Sequence, residues 1–189
     1  KADEAKDAEI SVSGLLKTPE SILHDAEADV YLVSNINGSP FGSDGAGFIS
    51  RLRLDGSFEA LKWIDGASEE INLKAPKGMA VVGDILYVTD VDVVRRFART
   101  TGKPLAEIAV EGATFLNDLT TGADGTVYVS DTGLGEGFSA TGTDAIYAIG
   151  SDGAVKAVAK GKELGQPNGL VFVDGTVVFV TWAMGALSR

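Results

Sequence analysis

The sequence predicts an all-β fold, a β-propeller made of four-stranded antiparallel blades. The first observation behind this prediction is an internal repeat, in which a polar or small pair precedes an apolar stretch, an acidic turn and a second apolar stretch. The four repeats are PESILHDAEADVYLVSN (19–35), APKGMAVVGDILYVTD (75–90), FLNDLTTGADGTVYVSD (115–131) and QPNGLVFVDGTVVFVTW (166–182). Their equivalent aromatic residues are separated by 56, 41 and 51 positions, a spacing close to that of propeller blades: Tyr31, Tyr87, Tyr128 and Phe179.

The second and third observations lie within each repeat. The segments ILYVTD, TVYVSD and TVVFVT alternate and are rich in β-branched or aromatic residues, as strands are. Asp-Gly pairs between the strands supply the positive φ angles that tight hairpins need. Outer hairpins are therefore predicted at 48–64, 93–110 and 145–160, which gives four strands in each complete unit.

The strand pattern places complete blades at about 19–66, 75–112 and 115–161. The incomplete blade at 166–189 makes about three and a half blades, after an N-terminal segment at 1–18. Propellers close a ring of four to eight blades, because an open stack leaves an apolar sheet face and a strand edge exposed. We therefore expect the remainder of the propeller to come from a longer chain or from a second chain.

Composition restricts the partners that this chain of 189 residues can have. Its formal charge of −11 argues against nucleic acid and anionic membranes, and it favours cations or neutral small molecules. Cysteine is absent, which excludes thiolate chemistry and zinc–thiolate sites, and no apolar run is long enough to span a bilayer. The opening KADEAKDA is polar and Ala-rich, as many mature N-termini are, and it favours a periplasmic or secreted protein without excluding a cytoplasmic one.

The starts of the four first strands hold the candidate functional residues. The repeats offer Glu20, Lys77-Gly78, Asn117-Asp118 and Asn168-Gly169 at equivalent positions. First strands line the central channel of a propeller, so these side chains should converge on its axis. One carboxylate and two amide oxygens form a hard, all-oxygen donor set, which predicts a Ca²⁺ site at Glu20, Asn117 and Asn168.

Each candidate also has a structural interpretation. Asn-Asp and Asn-Gly pairs form turns before strands in many proteins, with no ligand involved. Asp118 is a candidate catalytic carboxylate that activates water or attacks directly, and it can equally serve only to bind backbone amides. His24 is the single histidine, and a lone histidine in a strand is more often structural than a general base.

Two long connections are candidates for a ligand entrance. The loops at 35–48 and 131–144 are rich in Gly, Ser and Thr, and such loops on a rigid scaffold either surround a site or are ordinary surface loops. Trp182 is predicted to lie between blade faces or at the channel rim. Arg95 and Arg96 lie in a predicted strand, and both are interpreted as part of a solvated outer face.

Three segments of the sequence together resemble a known family: PES…VYLVSN, FLNDLTTGADGTVYVSDT and QPNGLVFVDG. The chain is similar from about residue 19 onward to the senescence-marker-protein/gluconolactonase group of six-bladed propellers. Diisopropyl fluorophosphatase and paraoxonase are more distant relatives of that group. The resemblance implies a single calcium ion in the channel, with Glu20, Asn117 and Asn168 at matching ligand positions and a further Asp from a later blade.

The sequence departs from the family pattern at two of these motifs. Gluconolactonases often carry an Arg two residues before the Asn of the Asn-Asp motif, where it contacts a sugar acid, and here that residue is Phe115. An apolar side chain at this position favours a less polar substrate than a sugar lactone. Ser21 follows Glu20, where the family commonly has Gly or Pro.

Three functions are compatible with these observations. The leading hypothesis is a calcium-dependent hydrolase of the lactonase or esterase type that acts on a small molecule in the central channel. The second is a non-catalytic propeller that binds a protein or small ligand, since one fold hosts many functions. The third is a metal-free enzyme similar to strictosidine synthase.

Overall fold

The computed structural model describes residues 10–12, 14–42 and 45–189, and much of the predicted N-terminal segment 1–18 lies outside the described residues. The first sheet consists of β1 (Pro19–Asp25), β2 (Val30–Asn35), β3 (Phe48–Arg53) and β4 (Phe58–Asp65). The second sheet consists of β5 (Pro76–Val82), β6 (Ile85–Asp90), β7 (Val93–Ala98) and β8 (Ile108–Ala109). The predicted all-β fold of four-stranded antiparallel sheets is confirmed.

The second half of the chain continues this arrangement. The third sheet begins with β9 (Leu116–Thr121) and β10 (Val127–Asp131). The chain then forms a separate two-stranded hairpin of β11 (Leu134–Gly135) and β12 (Ser139–Ala140), and the third sheet is completed by β13 (Ala145–Ile149) and β14 (Val155–Lys160). The fourth sheet has three strands, β15 (Pro167–Val173), β16 (Thr176–Thr181) and β17 (Leu187–Ser188). Short 3₁₀ turns lie at Glu136–Phe138 and Lys162–Leu164.

The four sheets stack face to face as the blades of a propeller. Their first strands are neighbours around one axis, with β1 against β5, β5 against β9 and β9 against β15. Apolar side chains of alternate strand positions fill the space between the sheets. One cluster between the first two blades includes Leu32, Ile49 and Leu86, and a second cluster between the next two includes Leu116 and Val129.

The fourth sheet has one covered face and one exposed face. Phe172 stacks on Tyr128 of the third blade, with ring centroids 5.5 Å apart and planes inclined by 10°. The other face presents exposed Val171, Val180 and Leu187 to solvent. Within the described part of the chain no helix is long and apolar enough to cross a membrane.

Asp90, at the end of β6, anchors the start of the second blade. Its Oδ1 accepts hydrogen bonds from the backbone N–H groups of Lys74 at 3.1 Å and Ala75 at 2.7 Å, and its Oδ2 pairs with Arg95 Nε at 2.9 Å. Arg95 is buried in this arrangement, so its assignment to a solvated outer face was wrong. The reason is local, because a buried carboxylate two strand positions away stabilises the guanidinium inside the sheet.

An ion pair joins the first blade to the second at the end of β1. Arg99 donates through Nε to Asp25 Oδ2 at 2.8 Å, and its other nitrogens reach the second Asp25 oxygen and Glu27. The hydrogen bond from Arg99 is the main cause that lowers the pKa of Asp25 from 3.8 to about 2. Asp25 is buried, so solvent screens this pair little.

We expect this pair to contribute to stability only above acidic pH. A carboxyl with a lowered pKa in the folded state stabilises the protein above its unfolded pKa of 3.8, and the contribution is lost as the pH falls toward 2. Two pKa units correspond to roughly 2–3 kcal/mol. Urea unfolding between pH 6 and pH 2 measures this slope, which Asp25→Asn should reduce. Asp29→Asn removes an exposed carboxyl of the same turn and should keep the slope, and an unchanged slope in Asp25→Asn would contradict the assignment.

Candidate functional site

A bulge at the same position of every first strand builds the site. The pairings just before the bulge are Pro19 with Asn35, Pro76 with Asp90, Leu116 with Asp131 and Pro167 with Thr181. The register shifts directly after each pair, and a bulge of this kind redirects the side chain that follows. The four residues that follow line one cavity of about 250 Å³: Glu20, Lys77, Asn117 and Asn168. We call this set the polar floor.

Glu20 supplies the carboxylate of the polar floor. Its side chain makes no hydrogen bond or ion pair with the described part of the chain. Desolvation by the surrounding protein raises the pKa of Glu20 to about 7, the charge of Lys77 lowers it, and Asp118 raises it further. Glu20 is nevertheless an exposed residue at the cavity, so a ligand can reach its oxygens.

Lys77 is the floor residue whose role the sequence left unassigned. It is 1% exposed, and its Nζ donates to the backbone oxygen of Ala75 at 3.0 Å. The same Nζ lies 4.4 Å from the centroid of the Phe115 ring, a cation–π contact. Burial lowers the pKa of Lys77 to about 8, while the charges of Asp90 and Glu20 raise it. The ammonium therefore stays largely protonated at neutral pH.

Buried hydroxyl groups hold the two asparagines through their backbones. Thr89 Oγ1 donates to the carbonyl oxygen of Asn117 at 2.5 Å, and Ser130 Oγ donates to that of Asn168 at 2.6 Å. Thr89 and Ser130 occupy equivalent positions in β6 and β10, so each blade positions the floor residue of the next. The amide side chains themselves form no hydrogen bond with the described residues, which leaves both oxygens available to a ligand.

Asp118 and His24 lie apart from the polar floor. Asp118 Oδ2 accepts the backbone N–H of Leu170 at 2.7 Å and joins the first strands of the third and fourth blades. Burial raises the pKa of Asp118, against the lowering effect of the Leu170 hydrogen bond. Asp118 does not line the cavity. Its position therefore matches the second interpretation offered by the sequence, in which the carboxylate only binds backbone amides. His24 is exposed on β1, 5.3 Å from the Tyr31 ring centroid, and it lies outside the cavity.

Three aromatic side chains line the cavity, Phe115, Phe138 and Trp182, and Phe41 packs against the first two. We call these four side chains the aromatic mouth. Phe41 contacts Phe115 and Phe138, with centroids 4.9 Å and 5.1 Å apart, and Phe138 lies 6.1 Å from Trp182. The long loops that the sequence singled out supply Phe41 and Phe138, although residues 43–44 lie outside the described residues. Phe138 and Trp182 are 51% and 56% exposed, so the mouth is open to solvent.

Three of the four residues of the polar floor carry oxygen donors of the kind that suits a hard cation. Glu20, Asn117 and Asn168 bring one carboxylate and two amide oxygens into one cavity, the kind of ligand that calcium takes. No cluster of three or more His, Cys, Asp or Glu side chains suited to a metal was found among the described residues, which means that amide oxygens must complete any site. Lys77 is the floor group that repels a cation.

The sequence pointed to three residues of the polar floor and left the fourth, Lys77, without an assigned role. Lys77 stood in the aligned position, but lysines are normally solvated, and no pattern showed that this one is buried against Phe115. Of the aromatic mouth, the sequence singled out Phe115 and Trp182. Phe41 and Phe138 escaped notice, because they lie in loops with no periodic pattern. A bulky residue in an otherwise Gly-rich and Ser-rich loop was the available signal.

Several solved structures share this fold, and some of them are described as gluconolactonases or lyases. A putative gluconolactonase matches with a TM-score of 0.66 at 17% identity, over 91% of this chain and 58% of its own. A gluconolactonase from Xanthomonas campestris gives 0.61 at 19% identity, over 92% and 61%. Virginiamycin B lyase from Staphylococcus aureus gives 0.62 at 14% identity, over 89% and 50%. No protein-family model and no curated protein matches the chain.

These matches confirm the resemblance at the level of the fold. The chain spans between 50% and 61% of the length of the three solved chains. Identities of 14–19% show a shared fold and carry no activity over to this chain. The chain is therefore a partial β-propeller with the architecture of the six-bladed gluconolactonases and lyases.

Proposed function

We propose that the cavity is the site of a calcium-dependent hydrolase that acts on a lactone or ester of a small molecule. The observation that carries this proposal is the meeting of Glu20, Asn117 and Asn168 in one cavity, each with side-chain oxygens free of protein hydrogen bonds. These oxygens stand at equivalent positions of three blades, where a ligand in the cavity can reach them. The remaining blades of the ring, from a longer chain or a second chain, would supply further ligands.

The chain's own residues position and enclose the substrate in this mechanism. Glu20, Asn117 and Asn168 would hold the ion, which when bound supplies a Lewis acid for a carbonyl oxygen. Thr89 and Ser130 fix the backbones of the two asparagines, so their amides need no reorganisation. The aromatic mouth holds the apolar part of the substrate. Hydrolysis adds the hydroxyl group of water to the acyl carbon, breaks the acyl C–O bond and transfers the other proton of water to the departing oxygen.

Calcium should stabilise the folded protein, and thermal unfolding with 0 to about 5 mM calcium tests this. At concentrations a hundredfold above Kd, binding adds about 2.7 kcal/mol, or roughly 5–10 °C in Tm for a chain of this size. Asn117→Ala and Asn168→Ala should each lose most of this shift. Asn72→Ala removes an exposed amide outside the cavity and should keep it.

A panel of lactones and aryl esters then separates an enzyme from a binding protein. We expect turnover that depends on calcium and falls at least a hundredfold in Asn117→Ala and Asn168→Ala. A calcium-dependent Tm shift without turnover would favour the non-catalytic propeller. Turnover that survives both substitutions would exclude this mechanism and favour a metal-free enzyme.

A further inference from the structure

The Lys77 ammonium has an incomplete set of partners. An ammonium carries three donors, and one of them reaches the Ala75 oxygen at 3.0 Å. No carboxylate of the described residues forms an ion pair with Lys77. Burying a charge without enough partners is costly, yet Lys77 is 1% exposed on the wall of an open cavity. A ligand oxygen in the cavity would provide the missing acceptor.

The aromatic mouth indicates the chemical nature of the part of the ligand that does not contact Lys77. Three of its rings, together with Ile36 and Leu134, line the same cavity as Lys77. Aromatic rings stack on one another at centroid distances of 4.5–7 Å, so a flat ring can join this group. The volume of about 250 Å³ lies just below the range for drug-sized ligands, which favours a molecule with a single ring.

We infer that the pocket is selective for small aromatic acyl compounds, with the ring in the aromatic mouth and the carbonyl or carboxylate oxygen on Lys77. The inference builds on the proposed function and names its substrate class as aromatic lactones or esters, whose hydrolysis releases aromatic carboxylic acids. Lys77 Nζ donates a hydrogen bond to the acyl oxygen in the substrate and to the carboxylate oxygen in the product. Phe115 contributes twice, because its ring lies beside the ammonium at 4.4 Å and beside Phe41 at 4.9 Å.

Calorimetric titration with three probes tests this inference. The buffer contains EDTA, which removes calcium. The probes are 3-phenylpropionate, 3-phenyl-1-propanol, which lacks the carboxylate, and gluconate, which lacks the ring. We expect the wild-type protein to bind 3-phenylpropionate at least tenfold more tightly than either of the others. Lys77→Met should lose at least tenfold in affinity for 3-phenylpropionate and stay within about twofold for the alcohol. Lys156→Met, which removes an exposed lysine of β14, should change neither value.

Two results would overturn the inference. One is equal binding of the acid and the alcohol by the wild-type protein, a comparison that needs no variant and no assumption about folding. The other is tighter binding of gluconate, which would indicate a sugar-acid site. Because the titration involves neither calcium nor turnover, its failure leaves the calcium-dependent Tm shift to stand separately. Selective binding of 3-phenylpropionate without any calcium shift would support this inference while the proposed hydrolase fails.

Discussion

Asp90→Ala should destabilise the protein by about 3 kcal/mol, because it leaves the buried Arg95 guanidinium without its carboxylate inside the sheet. The substitution also leaves the backbone N–H groups of Lys74 and Ala75 without their acceptor. Glu107, the second partner of Arg95, is about half exposed and compensates only in part. Urea unfolding measures the difference in the free energy of unfolding.

Asp92→Ala is the matched control for this substitution. Asp92 is two residues away and exposed, so its removal should change the free energy of unfolding by less than about 0.5 kcal/mol. A loss below 1 kcal/mol in Asp90→Ala would show that Arg95 finds other partners. The effect extends to the site, because the segment that Asp90 anchors contains the Ala75 oxygen that binds Lys77.

Gly78→Ala should separate the first strands of the second and third blades. A Cβ at position 78 would lie 2.6 Å from Asp118 Oδ1, 2.7 Å from Asp118 Cα and 2.9 Å from the Asn117 oxygen. Two of these atoms belong to the backbone of the next blade and cannot move aside alone. Overpacking of this kind costs about 1–3 kcal/mol, and we expect a value at the upper end. Because Lys77 and Asn117 flank the contact, ligand affinity should fall together with stability.

Gly169→Ala provides the comparison at the equivalent position of the fourth blade. Its Cβ would lie 3.4 Å from Val180 Cγ2 and 3.8 Å from Asp118 Oδ2, which are ordinary contacts. We expect a change within about 0.5 kcal/mol in urea unfolding. Equal losses in the two variants would mean that glycine is required at this position for a reason other than the approach of the next blade.

Alignment of the repeats was enough to predict the site residues that occupy equivalent positions in the blades. Glu20, Asn117 and Asn168 occupy the same position in three blades, and the structure brings them into one cavity because each first strand bulges at the same place. The calcium ion, the catalytic role of Asp118 and the extracytoplasmic location stay predictions. The Asp118 carboxylate accepts a hydrogen bond from the backbone N–H of Leu170, and this contact is a structural role.

The sequence by itself determined the blade architecture, because alternation with period two and repeat spacing are local properties that the chain displays along its length. Only the tertiary structure decided the charge of the pocket and the shape of its entrance. The sequence pattern favoured a solvated outer face for Arg95 and left Lys77 unassigned. The structure buries Arg95 against Asp90 of the neighbouring strand and Lys77 against Phe115 of the next blade. Burial of a charge depends on partners from other strands and blades, and no local pattern records those partners.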